Sequence, residues 1–133
     1  MSYFVAYLTV LVVFGAIDAG WLTIMGPLLY RPTLADILLE SLRVAPAVIF
    51  YLFYPIGIVV FAVMPGLRAG SLTTTLLPAL LFGAIAYATY DLTNLATLRN
   101  WTWQITLVDI GYGAIASGVA AVAAGLVLRS LFH

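Results

Sequence analysis

Four stretches of this chain, roughly residues 3–25, 43–64, 72–98 and 102–128, are mostly apolar over about 20 or more positions each, the length that a helix rising ~1.5 Å per residue needs to cross a hydrocarbon layer of about 30 Å. No water reaches a backbone N–H or C=O in that layer, so each stretch must close its own hydrogen bonds, as a helix does. The rest of the chain allows no other class. Hydrophobic residues make up 65% of the 133, charged residues 8%, and the mean hydropathy is +1.16, too little polar surface to cover a water-soluble globule. The expected fold is all-α: a polytopic membrane protein of four transmembrane helices forming a single membrane-embedded domain over 1–133. The first stretch does not read as a cleaved leader. It has no basic residue ahead of it, contains Asp18 and lacks a small-residue cleavage site.

The connections are short. Gly26-Pro27 is expected to end the first helix and Pro32 to restart the chain, with Thr33 capping a short interfacial helix that runs to Glu40 and carries Asp36 in its first turn. Met64-Pro65-Gly66 is expected to break the second helix, and Ser71 or Thr73 to begin the third. Asn100 with Trp101 and Trp103 sets the last connection at headgroup level. Pro46, Pro55 and Pro78 fall inside or near the starts of spans, where neighbouring helices can satisfy the freed carbonyls.

Three of the five acidic residues, Asp18, Asp91 and Asp109, lie within these stretches. A carboxyl there is costly, must face protein or water rather than lipid, and marks a functional site by default. Chain direction alternates, so the end of helix one, the start of helix two, the end of helix three and the start of helix four share one membrane side, side B. Counted from the helix midpoints at ~1.5 Å per residue, Asp18 falls ~6 Å and Asp91 and Asp109 ~9 Å towards side B. All three therefore occupy one layer, with Tyr51 and Tyr54 at comparable depth. Tyr87, Asp91, Asn94 and Leu98 recur at helical spacing on one face, with Tyr90 and Thr97 at its edge. Asp18 with Trp21, and Asp109 with Tyr112, repeat an acid and an aromatic three residues apart. Arg43 and Arg99 can snorkel into the layer from the side B helix ends, and Arg31 can fold over it.

As plain interhelical hydrogen bonds these groups would glue a bundle at roughly 0.6 to 2 kcal/mol each. Neutral Asn or Ser would do so without the cost of an ionisable group. The three aspartates are thus candidate catalytic groups, and Asn94, Tyr87, Tyr90, Tyr51, Tyr54, Trp21, Tyr112, Arg43 and Arg99 candidate substrate-binding groups. The single histidine is His133, so haem and a histidine-rich metal site lack ligands, whereas the oxygen ligands Asp18, Asp91, Asp109 and Asn94 suit a hard cation such as Mg²⁺. No cysteine is present for thiolate chemistry, and neither the net charge of zero nor any basic run suits nucleic acid. On the fourth stretch Gly111, Gly118 and Gly125 recur every seven residues among further small side chains. Such a stripe lets helix backbones approach closely, here inside the bundle in preference to a dimer seam.

The run Tyr87-Ala-Thr-Tyr-Asp-Leu-Thr-Asn-Leu-Ala-Thr-Leu, then Trp101 and Val108-Asp109, with Phe50-Tyr-Leu-Phe-Tyr and Asp18 before Trp21-Leu22, resembles the membrane proteins grouped as domain of unknown function 2177. The likeness covers nearly the whole chain. Tyr112 departs from it, standing where the family pattern has Trp before the glycine at Gly113. The resemblance implies a multi-pass protein of a bacterial inner membrane and carries no agreed activity.

Two classes of function follow. One is an intramembrane protein, enzyme or accessory, that binds or modifies a lipid-like amphipathic molecule. Its side B pocket would set a polar headgroup against Asp91, Asn94, Asp18 and Asp109 within apolar walls, one aspartate acting as proton donor or acceptor. The other is a proton- or cation-coupled oligomeric transporter. Its layout is that of the small multidrug resistance proteins, although the acids here lean to one side whereas transporter sites lie near the midplane. A structural subunit of a membrane enzyme, or a homodimer, stays open beside them. Arg31, Arg43 and Arg99 on side B against Arg68 and Arg129 opposite turn side B towards the cytoplasm.

Overall fold

A computed structural model describes residues 1–39 and 43–132. Four long helices follow one another: α1 over Ser2–Leu34, α2 over Val44–Ala69, α3 over Leu72–Thr97 and α4 over Trp103–Phe132, each long and apolar enough to cross a membrane. No strand occurs among the described residues. The ends follow from local chemistry. Gly70 ends α2 in the left-handed region, at φ 66°, where a side chain would be strained. The Ser71 hydroxyl then accepts from the Thr74 N–H at 3.2 Å to start α3, and the Thr102 hydroxyl accepts from the Ile105 N–H at 3.1 Å to start α4.

Two expected breaks are not breaks. α1 continues through Gly26-Pro27 by widening into a π turn over Gly26–Tyr30, in which the Arg31 N–H reaches back to the Gly26 carbonyl. α2 does the same over Val59–Val63, with the Met64 N–H on the Val59 carbonyl. Each π turn lies just ahead of a proline, Pro32 or Pro65. The wider ladder makes room for a ring that would otherwise collide with the carbonyl four residues back. Of the interfacial helix expected over 33–40, only Thr33 and Leu34 are helical, as the end of α1. Residues 35–38 form turn and bend, and Glu40, like His133, lies outside the described residues.

α3 and α4 form the most extensive pair, with α1 against α4 next. Glycine permits the first contact. A methyl group added at Gly83 would strike the Gly113 carbonyl and Ser117, and one at Gly113 would strike the Tyr87 ring. The small-residue stripe of α4 thus packs inside the bundle, where Gly118 faces Leu76 and Leu80 and Gly125 faces Leu72. Gly111 is the exception, with no neighbour near it. Phe14, Ile58, Val63, Ala120 and Leu128 are fully buried in the main core, and Leu29, Leu34, Trp101 and Ile105 form a second core at the side B end. The α2 backbone comes close to α3 from Val59 onward, and ahead of that the two meet through side chains, the Phe82 ring lying against Gly57 and stacking on Tyr54 at 5.3 Å.

Candidate functional site

Asp18 lies midway along α1 and is 7% exposed. It accepts hydrogen bonds from the hydroxyls of Tyr112, at 2.7 Å, and Tyr51, so that one carboxyl joins α1 to both α4 and α2. One turn further on, the Trp21 indole stacks on the Tyr112 ring with centroids 4.2 Å apart and planes at 14°. Its Nε1 donates to the Tyr30 hydroxyl at 3.0 Å, and Tyr30 donates in turn to Asp109 at 2.5 Å. A hydrogen-bonded line therefore runs from α1 through its π turn to α4.

Asp91 is placed differently. It is fully buried, and among the described residues no N–H or O–H donor reaches either of its oxygens; its neighbour is the Asp109 carboxyl. Two carboxyl groups side by side hold each other only through a proton between them, because an ionised carboxylate has no donor.

Beside this cluster lies a cavity of about 840 Å³ bounded by α1 with its extension, α3 and α4. Its polar lining includes Asp18, Trp21, Tyr30, Arg31, Tyr87, Tyr90, Asn94, Trp101, Asp109 and Tyr112. The Trp101 indole N–H is buried and has no hydrogen-bond partner among the described residues. Gly26, Leu34 and Ala86 also line it, and Leu22, Ile37, Leu38, Phe50 from α2 and Leu98 complete the lining and are exposed on the outer surface, so the mouth opens on the flank of the bundle.

Of the residues singled out from sequence, Asp18, Asp109, Trp21, Tyr87, Tyr90, Asn94 and Tyr112 meet at this cavity. Asp91 shares the helical face of Tyr87 and Asn94 but is fully buried and does not line the cavity. Tyr51 reaches the site through Asp18. Tyr54 points into the core instead, 2.7 Å from the Ser117 hydroxyl. Arg43 and Arg99 are exposed and do not line the cavity, whereas Arg31 does. Tyr30 and Trp101 were legible only as loop and interface residues. Tyr30 comes to Asp109 because α1 does not stop at Gly26, and residue types alone do not announce a π turn. Among the described residues no three acid, histidine or cysteine side chains gather in one cluster.

The profile of the family described as "Predicted membrane protein (DUF2177)" matches residues 3–126. No curated protein and no solved structure matches the chain.

Proposed function

The chain belongs to the DUF2177 family of predicted membrane proteins, a description that states no activity, and from the geometry of its own residues we propose that it binds an amphipathic, lipid-like molecule within a bacterial inner membrane. The supporting observation is one cavity with a polar base and a lateral apolar mouth. Its volume falls within the roughly 300–1,000 Å³ of small-molecule sites. Asp109 and Asn94 offer polar groups at the base, while Leu22, Phe50 and Leu98 at the mouth would accompany a hydrocarbon tail into the bilayer.

Asp18, bonded to two other helices, also fits the structural reading. Asp91 does not, because a residue kept only as glue would have found a donor. Asp91 reaches the cavity through Asp109, which makes the pair the candidate proton donor or acceptor for a bound molecule.

Mass spectrometry of what co-purifies with the detergent-extracted protein tests this reading. Wild type should carry an amphiphile near one per chain, and Ala86→Phe, which fills the cavity from α3, should lose it. Equal content in both proteins would refute the proposal.

A further inference from the structure

The Asp18 carboxyl accepts one hydrogen bond on each oxygen, from the phenols of Tyr51 and Tyr112, the pattern of an ionised group that has only acceptors. Phenols supply donors but no positive charge, and a buried charge left without a counter-charge is costly. The chain has little to offer it. Besides His133, the basic side chains are five arginines. Arg31 follows Asp18 by 13 residues along α1, roughly 20 Å of helix. Arg43 and Arg99 are exposed and do not line the cavity, and Arg68 and Arg129 belong to the opposite membrane side. Asp18 does line the cavity, so a molecule bound there can bring the charge. The neighbouring surface suits one kind of cation. Trp21 stacks on Tyr112, and Tyr87 meets Tyr112 nearly at right angles with centroids 6.0 Å apart; all three rings line the cavity with Asp18. Aromatic rings attract ammonium groups, whereas a hard metal ion asks for about six oxygens.

We infer that the cavity takes a singly charged cationic amphiphile, its organic ammonium set against Asp18 among the rings of Trp21, Tyr87 and Tyr112. Its tail leaves past Leu22 and Phe50, which line the cavity and are exposed. This rests on the proposed binding of an amphiphile and names its charge class. Asp109 keeps the proton it shares with Asp91 and its bond from Tyr30, and takes no part in holding the cation. A zwitterionic headgroup suits the place less well, because its phosphate, tied to the nitrogen by a short link, would lie near Asp18 and far from Arg31. An anionic lipid would add a second negative charge to the first.

The test uses delipidated full-length protein in non-ionic detergent and three probes with matched tails: an alkyltrimethylammonium, a phosphocholine lipid and an uncharged alkyl glycol ether. Binding is read from tryptophan fluorescence and from the shift in thermal midpoint. The ammonium should bind about tenfold more tightly than either other probe, the ratio that one desolvated cation–π contact supplies. Asp18→Asn should bring the ammonium down to the glycol ether, whose own affinity does not fall. Trp21→Leu, read by thermal midpoint, should weaken the ammonium more than the glycol ether. The comparison among probes on wild type needs no variant, so it decides the matter even if Asp18→Asn does not fold. Equal wild-type binding of the ammonium and the glycol ether would overturn the cation assignment while leaving amphiphile binding intact. Equal or tighter binding of the phosphocholine lipid would overturn the choice of a lone cation in the same way. A full preference for the ammonium in folded Asp18→Asn would remove Asp18 as its partner and overturn the inference. Failure of all three probes to bind would overturn the underlying reading as well.

Discussion

Asp91 and Asp18 are both aspartates inside spanning helices, yet their surroundings give them opposite requirements. Asp18 has two phenol donors and needs nothing further. Asp91 has none and depends on Asp109. Replacing Asp91 by Asn supplies an N–H to Asp109, so Asp91→Asn should unfold within about 1 kcal/mol of wild type, whereas Asp91→Leu leaves Asp109 short of a partner and should cost about 1–3 kcal/mol. Denaturation in mixed micelles distinguishes them, and equal losses in both variants would refute the pairing. Tyr112→Phe removes a single donor to Asp18 but keeps the stack on Trp21. Its expected cost is about 0.6–1.7 kcal/mol, the scale of hydrogen bonds between membrane helices. A neutral result in the same assay would mean that water or Tyr51 takes over.

At the scale of the element, Pro32 and Pro65 do not stop their helices, because the π turn ahead of each absorbs the ring, while Pro55 and Pro78 sit inside α-helix without one. That difference lengthens α1 to 33 residues, about 50 Å at ~1.5 Å per residue, and so provides one wall of the cavity. Glycine acts by position. Gly83→Val should wedge α3 from α4 and cost about 1–3 kcal/mol, since neither the Gly113 backbone nor the Ser117 side chain can retreat far. Gly111→Ala, at a site with nothing near it, should be neutral or slightly stabilising because alanine favours helix. The same unfolding assay checks both. A tolerated Gly83→Val would show that the helices pack less closely than their glycines allow.

As a whole molecule, the bundle crosses the membrane four times, so both described ends and the Gly70-Ser71 turn share one side, with residues 35–39 and the 98–102 connection on the other. The chain contains no cysteine, which makes labelling direct. The bias of Arg31, Arg43 and Arg99 against Arg68 and Arg129 predicts a cytoplasmic side B: Asn100→Cys should react with a membrane-impermeant thiol reagent only in inside-out vesicles, and Ser71→Cys only in right-side-out ones. Labelling of both from one side would contradict a four-span topology, and the reverse pattern would invert the orientation.

Composition and run length alone determined the class, the number of spans and their approximate limits, because a bilayer admits few ways to satisfy a backbone and the hydrophobic run directly measures the crossing. Periodicity placed Tyr87, Asp91, Asn94 and Leu98 on one face, and depth put three acids in one layer, since both follow from fixed helix geometry. The partners of those acids were decided only by the tertiary structure. Which phenol meets Asp18, why Asp91 faces Asp109, and how Tyr30 reaches the site depend on helix rotation, on a π turn that shifts register, and on the approach that Gly83 and Gly113 permit. These are properties of two surfaces in contact, and no single helix encodes them.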